Sequence, residues 1–139
     1  MNDTIRSVMT TRPVTVPAAA PVLDAARAMR EADIGDVIVV EDDRICGILT
    51  DRDIVVRGVA EGRDLKRTAV GDICSRELST VSDEASIDEA VRLMREKAIR
   101  RLPVVAGDRP IGVVSLGDVE LKRDRLSPLA DISAASPNH

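Results

Sequence analysis

Residues 15–53, TVPAAAPVLDAARAMREADIGDVIVVEDDRICGILTDRD, come back at 80–118 as TVSDEASIDEAVRLMREKAIRRLPVVAGDRPIGVVSLGD. The shift is 65 residues without a gap, and 15 of the 39 aligned positions are identical. Several of the mismatches, such as Val22 for Ile87 and Leu49 for Val114, exchange one apolar residue for another. One unit has been used twice, so functional groups are expected where the copies meet. A unit of roughly 60 residues buries too little surface to be comfortably stable alone, and the 139-residue chain is therefore expected to share one core between its copies.

Within each copy the order of elements follows from short-range pattern. An apolar turn opens it, Ile5 to Met9 or Val70 to Cys74. A brief extended stretch follows, Pro13 to Pro17 or Leu78 to Val81, the first kept short by proline at both ends. A helix comes next, with Pro21 expected at the first helical position of one copy and Ser86 with Glu89 expected as a capping box in the other. Apolar residues recur at helical spacing at Val22, Ala25, Ala26 and Met29, and at Ile87, Ala90, Val91 and Met94, marking core-facing stripes. Two β-branched runs per copy, Val37–Val40 with Ile45–Leu49 and Leu102–Val105 with Ile111–Val114, read as buried strands joined by a hairpin. A second helix is expected from Thr50, carrying Ile54, Val55, Val56 and Val59, and another from Ser115. Each unit therefore reads strand, helix, strand, strand, helix. The polar stretch around 62–69 reads as a linker, and residues 125–139, rich in Ser, Pro, Ala and Asn, read as a flexible tail.

Composition removes several functions. Hydrophobic residues at 44% and charged residues at 32% describe a globular chain, yet there is no Phe, Tyr or Trp, so any flat ligand must lie between aliphatic side chains. The one histidine is His139, which takes the commonest general base and metal ligand away from a folded site, and no enzyme is expected. Cys46 and Cys74 lack C-x-x-C spacing, and together with a start that has no apolar targeting core they point to reduced thiols in a cytoplasmic protein. No apolar run approaches the roughly 18 residues of a membrane span. A net charge of −4 with scattered Lys and Arg, and no aromatic platform for bases, argues against nucleic acid.

The sharpest local pattern is Gly47-Ile48-Leu49-Thr50-Asp51-Arg52-Asp53, echoed by Gly112-Val113-Val114-Ser115-Leu116-Gly117-Asp118. A hydroxyl and a carboxylate three residues apart at a strand-to-helix junction cap a helix without any ligand, a contribution of about 1 kcal/mol. The same groups can hold a nucleotide, since a carboxylate accepts from ribose hydroxyls and a helix start favours phosphate. Both readings are open at this level.

The doubled unit, its element order, the Arg100–Val105 run and the two junctions together resemble a tandem pair of cystathionine-β-synthase (CBS) domains, over about residues 4–124. The resemblance implies an α/β (α+β) fold with CBS domain 1 at 4–61 and CBS domain 2 at 70–124, two β-α-β-β-α units packed about a pseudo-two-fold axis. It implies a stand-alone regulatory module, without a catalytic cofactor, that takes AMP, ADP or ATP, or else S-adenosylmethionine or NAD, in a cleft between the repeats. Asp53 and Asp118 match the carboxylates that hold ribose, and Thr50 and Ser115 the nearby hydroxyls. The stretches at Thr15-Val16, Val37-Ile38, Thr80-Val81 and Leu102-Pro103 match the strands lining the adenine slot. Arg100 and Arg101 match basic residues that reach phosphate, whereas Gly35 and Asp36 hold the equivalent places in the first copy, so the favoured cleft combines Thr50 and Asp53 with Arg100 and Arg101. A homodimer through the helix after Asp53, and an unidentified protein partner, are also expected. The rival reading is a ligand-free interaction or stress-associated scaffold in which the junction motifs only cap helices.

Overall fold

The computed structural model describes residues 4–125, with side-chain surroundings as far as Leu121, so the expected tail beyond residue 125 and His139 lie outside the described residues. A 3-10 turn at Ile5–Ser7 leads to β1 (Thr10–Thr11), β2 (Thr15–Pro17), α1 (Val22–Ala32), β3 (Asp36–Glu41) and β4 (Arg44–Thr50). Then come α2 (Asp51–Asp53), a π-helical turn (Ile54–Val59) and α3 (Val70–Ile73). The second copy supplies β5 (Val81–Ser82), α4 (Ile87–Lys97), β6 (Arg101–Ala106), β7 (Arg109–Ser115) and α5 (Leu116–Arg125). The chain forms two compact units, one of Pro13–Leu78 with Asp108–Pro110, the other of the described parts of 1–12, 79–107 and 111–139.

The first unit is built on the sheet β2-β3-β4. β2 lies parallel to β3, with Thr15 opposite Ile38 and Val16 opposite Val39, and α1 makes the crossover between them. β3 and β4 are an antiparallel hairpin whose turn residues Asp42 and Asp43 both have positive φ, the conformation a two-residue hairpin turn requires. Val22, Ala25 and Met29 of α1 pack on Val16, Val37, Val39 and Leu49, an aliphatic core without a ring in it. Pro21 stands one place outside the expected position: it is the N-cap, and α1 starts at Val22. Proline offers no capping side chain, so the orphan N–H groups of Val22 and Leu23 donate instead to Thr68 and Leu65 carbonyls of the polar stretch at 62–69, which is thereby docked.

The second unit carries the sheet β1-β7-β6-β5. β5 is parallel to β6, with Val81 opposite Val104, and it begins one residue after Thr80. Ile87, Ala90, Val91 and Met94 of α4 are all buried against Leu102, Val104 and Val114, as the helical spacing predicts. The Ser86 hydroxyl accepts from Glu89 N–H at 3.1 Å. The full reciprocal capping box, expected here, is found at Thr50 and Asp53. α1 and α4 end alike, in left-handed residues at Asp33 and Ala98, with Ile34 N–H donating to Met29 O and Ile99 N–H to Met94 O.

The opening turn of each copy packs in the unit built on the other copy's sheet. Ile5 is fully buried in the second unit, its N–H donating to Ala85 O at 3.0 Å, and β1 runs antiparallel to β7. Val70 and Ile73 are buried in the first unit, and Ser75 and Ile48 exchange two hydrogen bonds of 2.9 Å. The two glycines of the junction motifs serve this packing. A Cβ at Gly47 would lie 2.7 Å from Ser75 O and 2.8 Å from Cys74 Sγ, and one at Gly112 would lie 2.8 Å from both Met9 Sδ and Thr10 O. In the second unit an ion pair joins the opening turn to the rest: the Arg6 guanidinium donates through Nε (2.9 Å) and Nη2 to one oxygen of the buried Asp83. The positions 65 residues away, Gly71 and Ala18, meet instead as small groups in close contact.

The helix expected from Thr50 continues as a π-helical turn. Ala60 N–H reaches Val55 O at 2.8 Å and Arg63 N–H reaches Gly58 O at 3.0 Å, both five residues back. The succession Ile54-Val55-Val56 is β-branched and weakly helical. Gly58 brings the widened turn close to its neighbours, since a Cβ there would meet Leu65 Cδ2 at 3.0 Å and Ile73 Cδ1 at 3.8 Å.

Candidate functional site

At the end of β4 the Thr50 hydroxyl accepts from Asp53 N–H at 3.0 Å, and Thr50 N–H donates to Asp53 Oδ2 at 3.0 Å. Asp51 N–H donates to Gly35 O at 2.9 Å, which ties the residues before β3 to the start of α2. Around this junction, Thr15, Val16, Val37, Ile38, Thr50 and Asp53 all belong to one three-stranded sheet and its following turn. Val16, Val37 and Ile38 have buried side chains, and Ile38 N–H is already bonded to Val14 O at 3.0 Å. Thr15 is exposed and lines an open hollow of about 380 Å³ with Val40, Asp43, Arg109 and Pro110.

The second unit repeats the plan with different charge. The Ser115 hydroxyl accepts from Asp118 N–H at 3.1 Å, and Leu116 N–H donates to Arg100 O at 2.7 Å. Within this unit Arg100 and Arg101, both exposed, are therefore brought beside Ser115 and Asp118, while in the first unit Gly35 and Asp36 are brought beside Thr50 and Asp53. Leu102 and Pro103 are buried, and Thr80 is half-buried just ahead of β5. The combination of Thr50 and Asp53 with Arg100 and Arg101 draws on residues of both units.

The two carboxylates differ in what they already hold. Asp53 keeps 17% of its side chain exposed; Oδ2 serves the cap, and Oδ1 lies 4.0 Å from Arg57 Nε. A carboxylate offers about four acceptor sites, so it can cap Thr50 and still accept from two hydroxyls. Asp118 is exposed. Arg57 went unread in the sequence, although its i,i+4 spacing from Asp53 is the pattern that pairs opposite charges on a helix. Its Nη1 also donates to Ile73 O at 3.3 Å.

Neither cysteine is disulfide-bonded. Burial pushes the Cys74 thiol above its ordinary pKa, opposed by the nearby Arg76 guanidinium. Among the described residues no cluster of three or more His, Cys, Asp or Glu could hold a metal ion, and no helix is long and apolar enough to cross a membrane.

Two units of this topology, each with a G-h-h-[ST]-x-x-D junction, define a CBS-domain pair. The chain belongs to the CBS domain family, which it matches over residues 5–59 and 70–120. It is 37% identical over 121 residues to the CBS domain-containing protein YhcV of Bacillus subtilis, covering 87% of this chain and 86% of that protein. Its fold is similar to the crystal structure of Hypoxic Response Protein I with two coordinated zinc ions, with a TM-score of 0.77 and 36% identity over 85% of this chain and 97% of that one. The CBS domain pair of MJ0100, solved in complex with 5'-methylthioadenosine and S-adenosyl-L-methionine, has the same fold at 19% identity, with a TM-score of 0.76 over 91% of this chain and 100% of that one.

Proposed function

We propose that this chain is a regulatory sensor module that binds an adenine nucleotide, AMP, ADP or ATP, and answers occupancy with a change in geometry rather than with chemistry. The observation that carries the reading is the pair of junctions, each placing a hydroxyl and a carboxylate at the end of a strand. The MJ0100 complex is a precedent for adenosine-derived ligands on this fold. Ribose hydroxyls donate to the acceptor sites left on Asp53 or Asp118, and the Arg100 and Arg101 guanidiniums offer forked donors to phosphate. The preferred set is Thr50 and Asp53 with Arg100 and Arg101, because these two arginines attract phosphate where the first copy has Gly35 and Asp36. The stretches at Thr15, Val16, Val37, Ile38, Thr80, Leu102 and Pro103 line the adenine slot with aliphatic walls in place of aromatic stacking. A ligand shifts such an equilibrium only by its differential affinity for the two arrangements.

Calorimetric titration with AMP, ADP, ATP, S-adenosylmethionine and NAD tests the proposal. One or more of the nucleotides binds, Asp53→Ala weakens binding at least tenfold, Asp118→Ala does so less, and Arg100→Ala with Arg101→Ala selectively weakens ligands with more phosphate. Unchanged affinity in all of these variants overturns the site. The closed capping box at Thr50 and Asp53 favours one rival, a scaffold in which the motifs only cap helices, and no binding by any of the five ligands selects it.

The module acts as a homodimer in the cytoplasm and reports to a protein partner. Val55, Val56 and Val59 of the π-helical turn are 57%, 46% and 58% exposed, an apolar strip suited to an isologous contact. A purely monomeric sedimentation profile at micromolar concentration contradicts the dimer.

A further inference from the structure

Arg57 faces two groups from one planar guanidinium: Nε lies 4.0 Å from Asp53 Oδ1, within ion-pair range, and Nη1 donates to Ile73 O at 3.3 Å. We propose that Arg57 is a positioning residue that couples the state of the Asp53 carboxylate to the C-terminal end of α3, and through it to the segment by which the chain leaves the first unit. The coupling rests on the reading of Asp53 as the ribose-holding carboxylate.

The residues form a closed circuit inside one unit. Asp53 is bonded to Thr50 by the capping box, and Thr50 ends the strand that carries Ile48. Ile48 exchanges two 2.9 Å hydrogen bonds with Ser75, and Ser75 follows Ile73 by two residues. Arg57 closes the ring from Ile73 back to Asp53. The π-helical turn makes the closure possible, because Gly58 lets it press against Ile73 and Leu65. A surface arginine 54% exposed contributes little through a single ion pair. Two partners at opposite ends of a rigid fork are a different case, since moving one moves the other. Hydroxyls donating to Asp53 draw on the same electron density that attracts Arg57, so occupancy loosens one end of the fork and redistributes the guanidinium toward Ile73 O.

The test is amide hydrogen exchange at Ile48, Cys74 and Ser75 in the full chain, with and without saturating AMP, ADP or ATP. In the wild type, nucleotide changes exchange at Cys74 and Ser75 by at least threefold. Arg57→Ala keeps affinity within about threefold and abolishes that change, and Arg57→Lys, which retains the charge but not the fork, does the same. A wild-type response in Arg57→Ala overturns the coupling. A second arm needs no ligand: Asp53→Asn, which keeps a capping acceptor and removes the charge, alters exchange at Ser75 at least twofold in the wild-type background and not in Arg57→Ala. An equal response in both backgrounds also overturns the coupling. If no nucleotide binds the wild type, the ribose reading fails and this arm alone decides whether Arg57 links Asp53 to Ser75.

Discussion

Gly47→Ala is expected to be among the most damaging single-methyl additions in the molecule. The new Cβ would sit 2.7 Å from Ser75 O and 2.8 Å from Cys74 Sγ, where ordinary contact begins at 3.4 Å. Ser75 O is backbone and cannot rotate away, so the 74–75 segment must retreat from β4 by roughly 0.5–0.7 Å. That retreat stretches both 2.9 Å hydrogen bonds between Ile48 and Ser75 beyond useful length, at about 1 kcal/mol each. Overpacking adds about 1–3 kcal/mol, so the expected loss is about 3–5 kcal/mol. Gly112→Ala should cost a similar amount in the second unit, because Thr10 O is equally immovable. The chain has no Trp, Tyr or Phe, so the assay is urea unfolding followed by circular dichroism rather than intrinsic fluorescence. Gly117→Ala is the control: nothing lies within 4 Å of its Cβ, the residue is in α5, and a gain of about 0.5–1 kcal/mol is expected. A Gly47→Ala protein within about 0.5 kcal/mol of wild type would refute the claim that this glycine exists to admit the 74–75 segment.

Ala98 caps α4 in the left-handed conformation at φ 54, which costs an L-residue with a Cβ about 1 kcal/mol, so Ala98→Gly should raise the urea midpoint; a lower midpoint contradicts this. Arg6→Ala leaves Asp83 buried without its guanidinium and should cost about 1–3 kcal/mol, whereas the pair Arg6→Ala with Asp83→Ala should recover part of that loss in a double-mutant cycle. Iodoacetamide at pH 8 should modify the half-buried Cys46 at least about tenfold faster than the buried Cys74, measured by peptide mass spectrometry. Because burial raises the Cys74 pKa in the folded state, its contribution to stability is present below the unfolded thiol's pKa and is lost as pH rises through the folded value. The urea midpoint should therefore fall on going from pH 8 to pH 10, and fall less steeply in Cys74→Ala.

Much of the fold was readable because it is local. The period of α1 and α4 put Met29 and Met94 inside, and the β-branched runs made β3, β4, β6 and β7 strands. The candidate site was readable for the same reason, since Thr50 with Asp53 and Ser115 with Asp118 are each three residues apart. Arg57 was not, because its second partner, Ile73 O, lies 16 residues away and backbone carbonyls carry no signature in sequence. The reciprocal box was expected at Ser86 and Glu89 and formed at Thr50 and Asp53; Ser86 lies in an antiparallel bridge with Thr4, a pairing across the sequence that no local pattern displays.

By itself the sequence determined that there are two copies of one unit, the order of elements in each, and which faces of the long helices are apolar; these depend on neighbours a few residues apart. Only the tertiary structure decided where the opening turns go. Ile5 and Val70 are both aliphatic and fully buried, and hydropathy cannot tell one aliphatic core from the other. What distinguishes the cores is shape and charge brought together over long separations: Arg6 on Asp83 in one, Gly71 against Ala18 in the other, and a glycine bare enough in each strand for the crossing segment to pass.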